Sequence, residues 1–332
     1  MKLGRLALAR GTVDRAAERR TDAHWLAQAW ADPRTRVFAV EDGRALVRYP
    51  AETAGHAELV LVSPADAGSG ARILLGVDSD GVAYFAVMGP GAAPDEDRPG
   101  EARPDERRPG VARAGLRQAG ALLGDRDAGL LTHAVALANW HGTHEYCPRC
   151  GARTKLTSAG HSRTCPADGS EHFPRIDPAV IMLVLDPAGR CLLARNNRWP
   201  KKRVSILAGF VEPGESAEQA VAREVAEEVG IAVGEFRYLG SQPWPLPQSL
   251  MLGFSARVVD GRAGARPGAE ANRRTGVVPL RVDDAEIAEA RWYSRDDLRA
   301  AVSAGEILLP SEVSIAHRII ESWYGGPLPK AR

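Results

Sequence analysis

The segment GFVEPGESAEQAVAREVAEEVGI, residues 209–231, constrains the fold more than any other part of this 332-residue chain. Pro213-Gly214 marks a turn, Ser216 is a suitable N-cap, and the following residues favour a helix until Gly230 ends it. An apolar stripe predicts that one face of this helix packs on a core, and it comprises Ala220, Val221, Val225 and Val229. The segment therefore predicts a loop, an amphipathic helix and a second loop.

Three glutamates crowd the polar side of this predicted helix. Glu224, Glu227 and Glu228 are spaced i, i+3 and i+4, so their like charges repel one another and weaken the helix. A divalent cation offsets that repulsion, because Mg²⁺ prefers oxygen ligands and joins a few carboxylates to substrate phosphates. The alternative is a solvated acidic face, since Glu-rich helices are common. The three glutamates alone do not decide between a metal site and a solvated face.

The full pattern is more specific than the glutamates alone. Residues 209–231 match G-x5-E-x7-R-E-U-x-E-E-x-G-U at every fixed position, with U a bulky aliphatic residue, and so resemble the Nudix box of the Nudix hydrolases. The resemblance implies hydrolysis of a nucleoside diphosphate linked to another group, with Mg²⁺ or Mn²⁺ held by Glu224, Glu227 and Glu228. It implies that Glu227 or Glu228 also activates water. The structural positions of the box would be Gly209, Glu215, Arg223 and Gly230, with Glu215 pairing with Arg223.

A proline-rich stretch, SQPWPLPQS at residues 241–249, follows the box. It resembles the S-Q-P-W-P-x-P-x-S array of the NADH pyrophosphatase branch of the Nudix hydrolases. Prolines restrict the backbone and reduce the entropy lost on binding, so we expect them to hold Gln242, Trp244 and Ser249 as a wall for a dinucleotide. The alternative, a proline-rich surface loop, does not explain the match at every fixed position of the array.

The resemblance to this branch covers most of the chain after residue 130 and implies further site residues. Phe173 would stack on the nicotinamide from the neighbouring subunit of a homodimer, and Phe210 would form the other side of that sandwich. Glu286 matches a metal ligand supplied from outside the box, although Glu289 lies one turn away and spacing alone does not separate the two. Ala316 matches a position whose backbone contacts the substrate base.

The chain has four cysteines, and a C-x-x-C pair at residues 147–150 favours metal binding over a disulfide. The segment that begins there resembles the zinc ribbon of the NADH pyrophosphatase branch. An aspartate stands where the branch has a fourth cysteine, so His161, His172 or an empty site are alternatives. Cys191 lies in an apolar strand and is expected to be a buried thiol. The zinc ligands that the resemblance implies are Cys147, Cys150, Cys165 and Asp168.

Composition sets limits on the partners of the chain. Hydrophobic residues make up 44% and charged residues 26%, as in a folded protein, and the net charge is +1. This charge excludes a global basic field for nucleic acid, although a local patch suffices for RNA. The N-terminus does not resemble a signal peptide, and the longest apolar run, AVIMLVL, is too short to span a bilayer. We therefore expect a cytoplasmic protein without a membrane partner.

The predicted fold class is α/β, with the α/β/α sandwich and mixed sheet of the α+β Nudix fold. We expect an N-terminal Nudix-like domain without a box at residues 1–140, a zinc-ribbon-like module at 141–174 and a catalytic Nudix domain at 175–332. Two apolar strand-turn-strand patterns, at residues 73–87 and 179–195, fit two related domains. Segments rich in Pro, Gly and charged residues predict flexible insertions at 89–115 and 260–276.

The predicted function is that of a homodimeric NAD(H) diphosphatase, which hydrolyses NADH or NAD⁺ to AMP and the nicotinamide mononucleotide half. The same chemistry removes an NAD cap from RNA 5′ ends. One alternative is a Nudix hydrolase for ADP-ribose or a dinucleoside polyphosphate, and the intact proline array argues against it. Another is a zinc-ribbon binding or regulatory protein with a vestigial hydrolase domain, and the intact box glutamates argue against that. The expected cofactors are Mg²⁺ or Mn²⁺ and one structural Zn²⁺.

Overall fold

The computed structural model describes residues 3–50, 55–89, 102–105, 108–259 and 278–330. It divides into two compact units. The C-terminal unit contains a short first segment that ends at Leu6, residues 177–242, and the chain from Leu250 onward. The N-terminal unit contains residues 7–176 and also residues 243–249, which belong to the proline-rich stretch. The predicted boundaries at residues 140 and 174 remain a prediction, because the ribbon segment clusters with the N-terminal residues.

The C-terminal unit is built around a six-stranded sheet with the order β14-β15-β11-β12-β16, and β13 also pairs with β11. Its strands and helices are β11 (Asp177–Leu185), β12 (Cys191–Asn196), β13 (Leu207–Phe210), α4 (Ala217–Val229), β14 (Val233–Trp244), β15 (Ser249–Val258), β16 (Ile287–Tyr293), α5 (Arg295–Ser303) and α6 (Ile315–Tyr324).

The central strand β11 is buried on both faces, as its continuous apolar run predicts. Because side chains alternate along a strand, Val180, Met182 and Val184 join the core that contains α4, whereas Ile181 and Leu183 join the core that contains α5 and α6. Helices thus cover both faces of the sheet. The prediction of an α/β/α sandwich for this part of the chain is confirmed.

The acidic helix α4 has the ends that the sequence predicts. The Ser216 hydroxyl accepts from the backbone N–H of Gln219 at 3.2 Å, and the Gln219 side chain accepts from the Ser216 N–H at 2.8 Å. This capping box satisfies two N–H groups of the first turn. Gly230 ends the helix with a φ of 70°, which glycine adopts without steric cost.

The N-terminal unit contains two sheets of its own and a three-stranded ribbon sheet, with orders β1-β5-β4, β3-β2-β7-β6 and β10-β9-β8. Strand β1 pairs parallel with β5, and β4 pairs antiparallel with β5 as the predicted hairpin. Its elements are α1 (Ala23–Ala31), β1 (Arg36–Val40), β2 (Arg44–Arg48), β3 (Glu58–Leu59), β4 (Ala71–Val77), β5 (Ala83–Met88), β6 (Arg103–Pro104), β7 (Val111–Gly115), α2 (Leu116–Ala119), α3 (Asp125–Thr143), β8 (Lys155–Thr157), β9 (Ser162–Thr164) and β10 (Glu171–His172).

One prediction about this unit is wrong in part. The segment 89–115 was expected to be a flexible insertion, but its last five residues form β7, which pairs antiparallel with β2 and buries Val111 and Ala114. Alanine and glycine are weak strand formers, so the pairing partner rather than local sequence decides this strand. Residues 90–101, 106–107 and the predicted insertion at 260–276 lie outside the described residues.

Within the described ranges, no helix combines the length and the apolar character that crossing a bilayer requires.

Candidate metal centres and proline loop

Arg223 is the centre of an ion-pair network on α4. Its Nε and Nη2 contact the two carboxylate oxygens of Glu215 at 2.9 and 3.0 Å. Its Nη1 donates to Glu224 at 2.8 Å and to Glu227 at 3.2 Å, and its Nη2 donates to the Phe210 carbonyl at 2.8 Å. The hydrogen bonds from Arg223 lower the pKa of Glu215. One guanidinium therefore ties the turn before α4, the end of β13 and two box carboxylates together.

Glu228 is the box carboxylate without such a partner. Its side chain is buried, and its Oε2 accepts no hydrogen bond within the described residues. Burial raises the pKa of Glu228 to about 8, and the charges of Glu224, Glu286 and Glu227 add to this shift. A buried carboxylate beside three others is costly unless a cation is bound. The donor set, all carboxylate oxygens, fits a hard divalent ion.

Glu224 and Glu286 complete this carboxylate cluster. Glu224 is partly buried, and burial raises its pKa, which the charges of Glu227 and Glu286 raise further against the opposing effect of Arg223. Glu286 lies in the turn before β16, from which its charge acts on both Glu224 and Glu228. Glu289, the alternative by spacing, lies farther along β16 in register with Arg195. The charge of Glu286 therefore acts on the box glutamates, and its role as a metal ligand stays a prediction.

Gly209 on β13 lets Glu224 approach the strand closely. A Cβ added at Gly209 would overlap the carboxyl group of Glu224. Any larger residue at 209 thus forces the Glu224 carboxyl group, the end of a flexible side chain, or the strand to move.

Gly209→Ala is expected to weaken Mn²⁺ binding by about 10-fold or more, because shifting one metal-site carboxylate costs this much in other metalloproteins. Isothermal titration with Mn²⁺ measures the loss. Gly4→Ala is the matched control, since a Cβ at Gly4 meets nothing within 4 Å and its backbone is unstrained. Equal Mn²⁺ affinities for the two variants would contradict this role of Gly209.

The proline loop, defined as residues 241–249, buries one of its three predicted contact residues and leaves the other two half-buried. Gln242 is 0% exposed and donates to the Val313 carbonyl at 3.0 Å. Its side chain is therefore packed inside the C-terminal unit, where the Val313 carbonyl supplies the partner that a buried amide requires. It does not form part of the predicted wall for a dinucleotide. Trp244 and Ser249 are half-buried, and the Arg117 guanidinium lies 5.2 Å from the Trp244 ring centroid.

Three further residues were predicted to contact substrate. Phe173 is 66% exposed and Phe210 is 58% exposed, so both aromatic rings are open to a ligand or a partner subunit. Ala316 is buried in the first turn of α6, where its N–H donates to the Ser314 hydroxyl at 3.2 Å.

The ribbon segment forms a second candidate metal centre. The ligand atoms of its four residues all lie within 4.8 Å of one another, and this set of three thiols and one carboxylate fits tetrahedral Zn²⁺. The cluster consists of Cys147, Cys150, Cys165 and Asp168.

Ser170 orients the carboxylate of this cluster. Its N–H and its hydroxyl donate to Asp168 Oδ1 at 2.9 and 2.6 Å, while Asp168 Oδ2 lies 3.5 Å from the Cys147 Sγ. Of the two histidine alternatives, His161 bonds the Leu74 carbonyl at 2.7 Å, and His172 lies beside the cluster, 3.0 Å from the Ser170 hydroxyl. Among the described residues, Asp168 is thus the fourth member of the cluster.

Cys191 lies on β12 in the core of the C-terminal unit and is fully buried, as predicted. Burial raises the pKa of its thiol well above the ordinary range. A neutral, buried thiol behaves as a small apolar side chain.

Two residues of these sites were not anticipated from the sequence. Ser170 follows Asp168 by two positions, a spacing typical of an Asx turn, and that signal was available. Asn139 lies among the apolar residues of α3 and donates to the Pro245 and Pro247 carbonyls of the proline loop. A polar residue within an apolar helical stripe is a signal for a buried partner, but the sequence does not name that partner.

Comparison with known families accounts for all three parts of the chain. The model for the "NADH pyrophosphatase-like rudimentary NUDIX domain" matches residues 34–140, that for the "NADH pyrophosphatase zinc ribbon domain" matches 143–173, and that for the "NUDIX domain" matches 175–309. The "NAD-capped RNA hydrolase NudC" of Mycobacterium bovis (strain BCG / Pasteur 1173P2) is 41% identical over 334 residues, which cover 95% of this chain and 94% of the relative. The chain belongs to the NudC family of Nudix hydrolases.

Other NudC-type relatives match in the same way. The "NAD-capped RNA hydrolase NudC" of Mycobacterium tuberculosis (strain ATCC 25618 / H37Rv) is 40% identical over 334 residues, covering 95% of this chain and 94% of the relative. The human "NAD-capped RNA hydrolase NUDT12" is 37% identical over 213 residues, which cover 60% of this chain and 42% of the relative. The predicted family, fold class and order of the three modules are confirmed, and so is a hydrolase of the Nudix type with its requirement for a divalent metal.

Proposed function

We propose that this chain is an NAD(H) diphosphatase, which hydrolyses the diphosphate of NADH and NAD⁺ to AMP and the nicotinamide mononucleotide half. The buried carboxylate of Glu228 carries this proposal: its Oε2 accepts no hydrogen bond among the described residues and other carboxylates raise its pKa, which supports a metal site on the box helix. Relatives named as NAD-capped RNA hydrolases, 41% identical over nearly the full length, support an NAD-linked substrate. They also support removal of NAD caps from RNA 5′ ends.

The carboxylates at this site would have two tasks, metal binding and proton acceptance. Glu224, Glu227, Glu228 and Glu286 would hold Mg²⁺ or Mn²⁺, which neutralises the diphosphate charge and acidifies the attacking water. Glu227 or Glu228 accepts the proton of that water, since both lie on the same turns of α4. Arg223 fixes Glu224 and Glu227 through its hydrogen bonds, so the ligand set changes little between the free and bound states.

The dinucleotide itself would be recognised by aromatic rings and by the proline loop. The exposed ring of Phe210 offers a face to the nicotinamide, and we propose that Phe173 of the neighbouring subunit supplies the other face in a homodimer. Trp244 and Ser249 of the proline loop and the backbone at Ala316 would contact the remainder of the substrate.

The ribbon module would hold one structural Zn²⁺ with Cys147, Cys150, Cys165 and Asp168. Their convergence within 4.8 Å supports this assignment. We also propose that the chain has the predicted three-part division, with a ribbon at residues 141–174 between the box-less and the catalytic domains.

A substrate panel tests the proposed function. With Mn²⁺, the purified protein is expected to hydrolyse NADH with a kcat/KM about 10-fold or more above that for ADP-ribose, because ADP-ribose lacks the ring that the aromatic side chains would stack on. NAD-capped RNA is expected to yield a 5′-monophosphate end, and omission of the metal is expected to abolish both reactions. An equal kcat/KM for NADH and ADP-ribose would rule out the substrate assignment.

A further inference from the structure

The proline loop has fewer hydrogen-bond donors than acceptors in its backbone. Pro243, Pro245 and Pro247 carry no N–H, so alternate residues of the loop accept hydrogen bonds but donate none. The loop makes one short internal bond, from the Leu246 N–H to the Trp244 carbonyl at 2.7 Å. Pro245 is buried, and because a buried carbonyl requires a partner, its carbonyl depends on a donor from outside the loop; Pro247 is exposed.

Asn139 on α3 supplies those donors. Its Nδ2 donates to the Pro245 carbonyl at 2.8 Å and to the Pro247 carbonyl at 3.1 Å, so one amide group bridges two alternate carbonyls of the loop. Asn139 is 2% exposed, and Pro245 is also buried. The bond to the Pro245 carbonyl is therefore shielded from water, whereas Pro247 is exposed and the bond to its carbonyl is partly buried.

The orientation of the Asn139 amide is fixed by these two acceptors. A flipped amide would direct Oδ1 at two carbonyl oxygens, which repel it. In the observed orientation Oδ1 is buried and accepts no hydrogen bond within the described residues. An unsatisfied buried oxygen lowers stability, so Asn139 satisfies the two loop carbonyls at a cost in its own Oδ1.

A second contact holds the side chain at the centre of the loop. The Arg117 guanidinium lies over the Trp244 ring at 5.2 Å from its centroid. Asn139 thus restrains the backbone on the C-terminal side of Trp244, while Arg117 covers one face of its ring. Both contacts come from the N-terminal unit, which includes residues 243–249.

We propose that Asn139 is a positioning residue for substrate selection: by bridging the Pro245 and Pro247 carbonyls, it sets the orientation in which the proline loop presents Trp244 to a dinucleotide. Asn139 and the loop residues that it contacts belong to the same, box-less unit. This inference rests on the proposed function of the loop in dinucleotide recognition. It assigns a task to a domain that carries no box glutamates.

The test compares Asn139→Leu and Asn139→Ser with Thr132→Val. Thr132 is a buried polar residue of the same helix whose hydroxyl donates to the Ala128 carbonyl at 2.7 Å, so its substitution perturbs α3 without removing a bond to the loop. For both Asn139 variants, KM for NADH is expected to rise about 10-fold, with kcat within about 2-fold of wild type. The loss of two hydrogen bonds is expected to weaken substrate binding by roughly a factor of ten. The ratio of kcat/KM for NADH to that for ADP-ribose is expected to fall accordingly.

Thr132→Val is expected to keep the wild-type substrate ratio even where it lowers the melting temperature. If the Asn139 variants also keep that ratio, or lower activity on both substrates equally, Asn139 does not position the loop. Serine at 139 is small enough to be accommodated should leucine prevent folding.

Hydrogen exchange separates a failure of this inference from a failure of the proposed function. The Leu246 amide in the loop is expected to exchange at least about 10-fold faster in the Asn139 variants than in wild type, whatever the substrate. If wild type shows no preference for NADH, the proposed function is wrong and the exchange rate of Leu246 alone decides the role of Asn139. Unchanged exchange at Leu246 would overturn the inference.

Discussion

Glu228→Gln is expected to lower kcat for NADH by about 10³-fold, the range in which removal of a positioned acid-base group falls. Glutamine keeps the shape of the side chain, but it binds a hard cation weakly and cannot accept a proton from water. The effect is large because Glu228 is the buried member of the carboxylate cluster, and its Oε2 has no other partner in the described structure. Steady-state kinetics with saturating Mn²⁺ measure the change.

The folded state of this variant is expected to survive the substitution. Without metal, folding buries Glu228 near Glu224, Glu227 and Glu286 and raises its pKa to about 8, so at neutral pH it must take up a proton, which opposes folding. A neutral amide avoids this cost. The melting temperature of metal-free Glu228→Gln is therefore expected to equal or exceed that of metal-free wild type. Added Mn²⁺ is expected to raise the melting temperature of wild type only, since a ligand stabilises the state that binds it.

Glu218→Gln is the matched control for Glu228→Gln. Glu218 lies on the same helix α4 but is exposed in its first turn, away from the carboxylate cluster. It is expected to keep wild-type kcat and the stabilisation by Mn²⁺. Full metal-dependent activity in Glu228→Gln, or an equal loss in both variants, would rule out the assigned site.

The catalytic part of the site was predictable because its determinants are local in sequence. Helix periodicity, the Ser216 cap and Gly230 determine where α4 begins and ends. The i, i+3, i+4 spacing then places the glutamates on one side of the helix, whatever the rest of the fold. Strand β11 was predictable for the same reason, since a short continuous apolar run is typical of a strand that is buried on both faces.

The features that were missed depend on partners far away in the chain. The burial of Gln242 follows from its bond to the Val313 carbonyl, and the role of Asn139 follows from the proline loop more than a hundred residues later. Strand β7 forms because β2 offers an edge to an otherwise weak strand sequence. Local patterns carry no information about such pairings, so only the assembled fold reveals them.

Cys165→Ser is expected to lose the zinc of the ribbon, about one ion per chain, and to lower the melting temperature by about 10 °C or more, because binding energy at a structural zinc site is folding energy. Cys165 is fully buried and contributes one of only three thiols to the cluster. Elemental analysis of dialysed protein and thermal melts measure both effects. Cys191→Ala is the control: it removes a buried thiol outside the cluster and is expected to leave the zinc content unchanged.

Substitutions of Asp168 test whether its carboxylate is the fourth zinc ligand or only lies next to the three cysteines. Ser170 occupies Oδ1 and leaves Oδ2 toward the thiols, so coordination through a single oxygen is expected. In Co²⁺-substituted protein, Asp168→Cys is expected to increase the thiolate-to-metal charge-transfer absorption by about one third, as three thiolates become four. Asp168→Ala is expected to keep that absorption but to bind Zn²⁺ about 10-fold or more weakly. An unchanged zinc affinity in Asp168→Ala would show that the ribbon completes its site without the aspartate, because the three cysteines alone would then account for the binding.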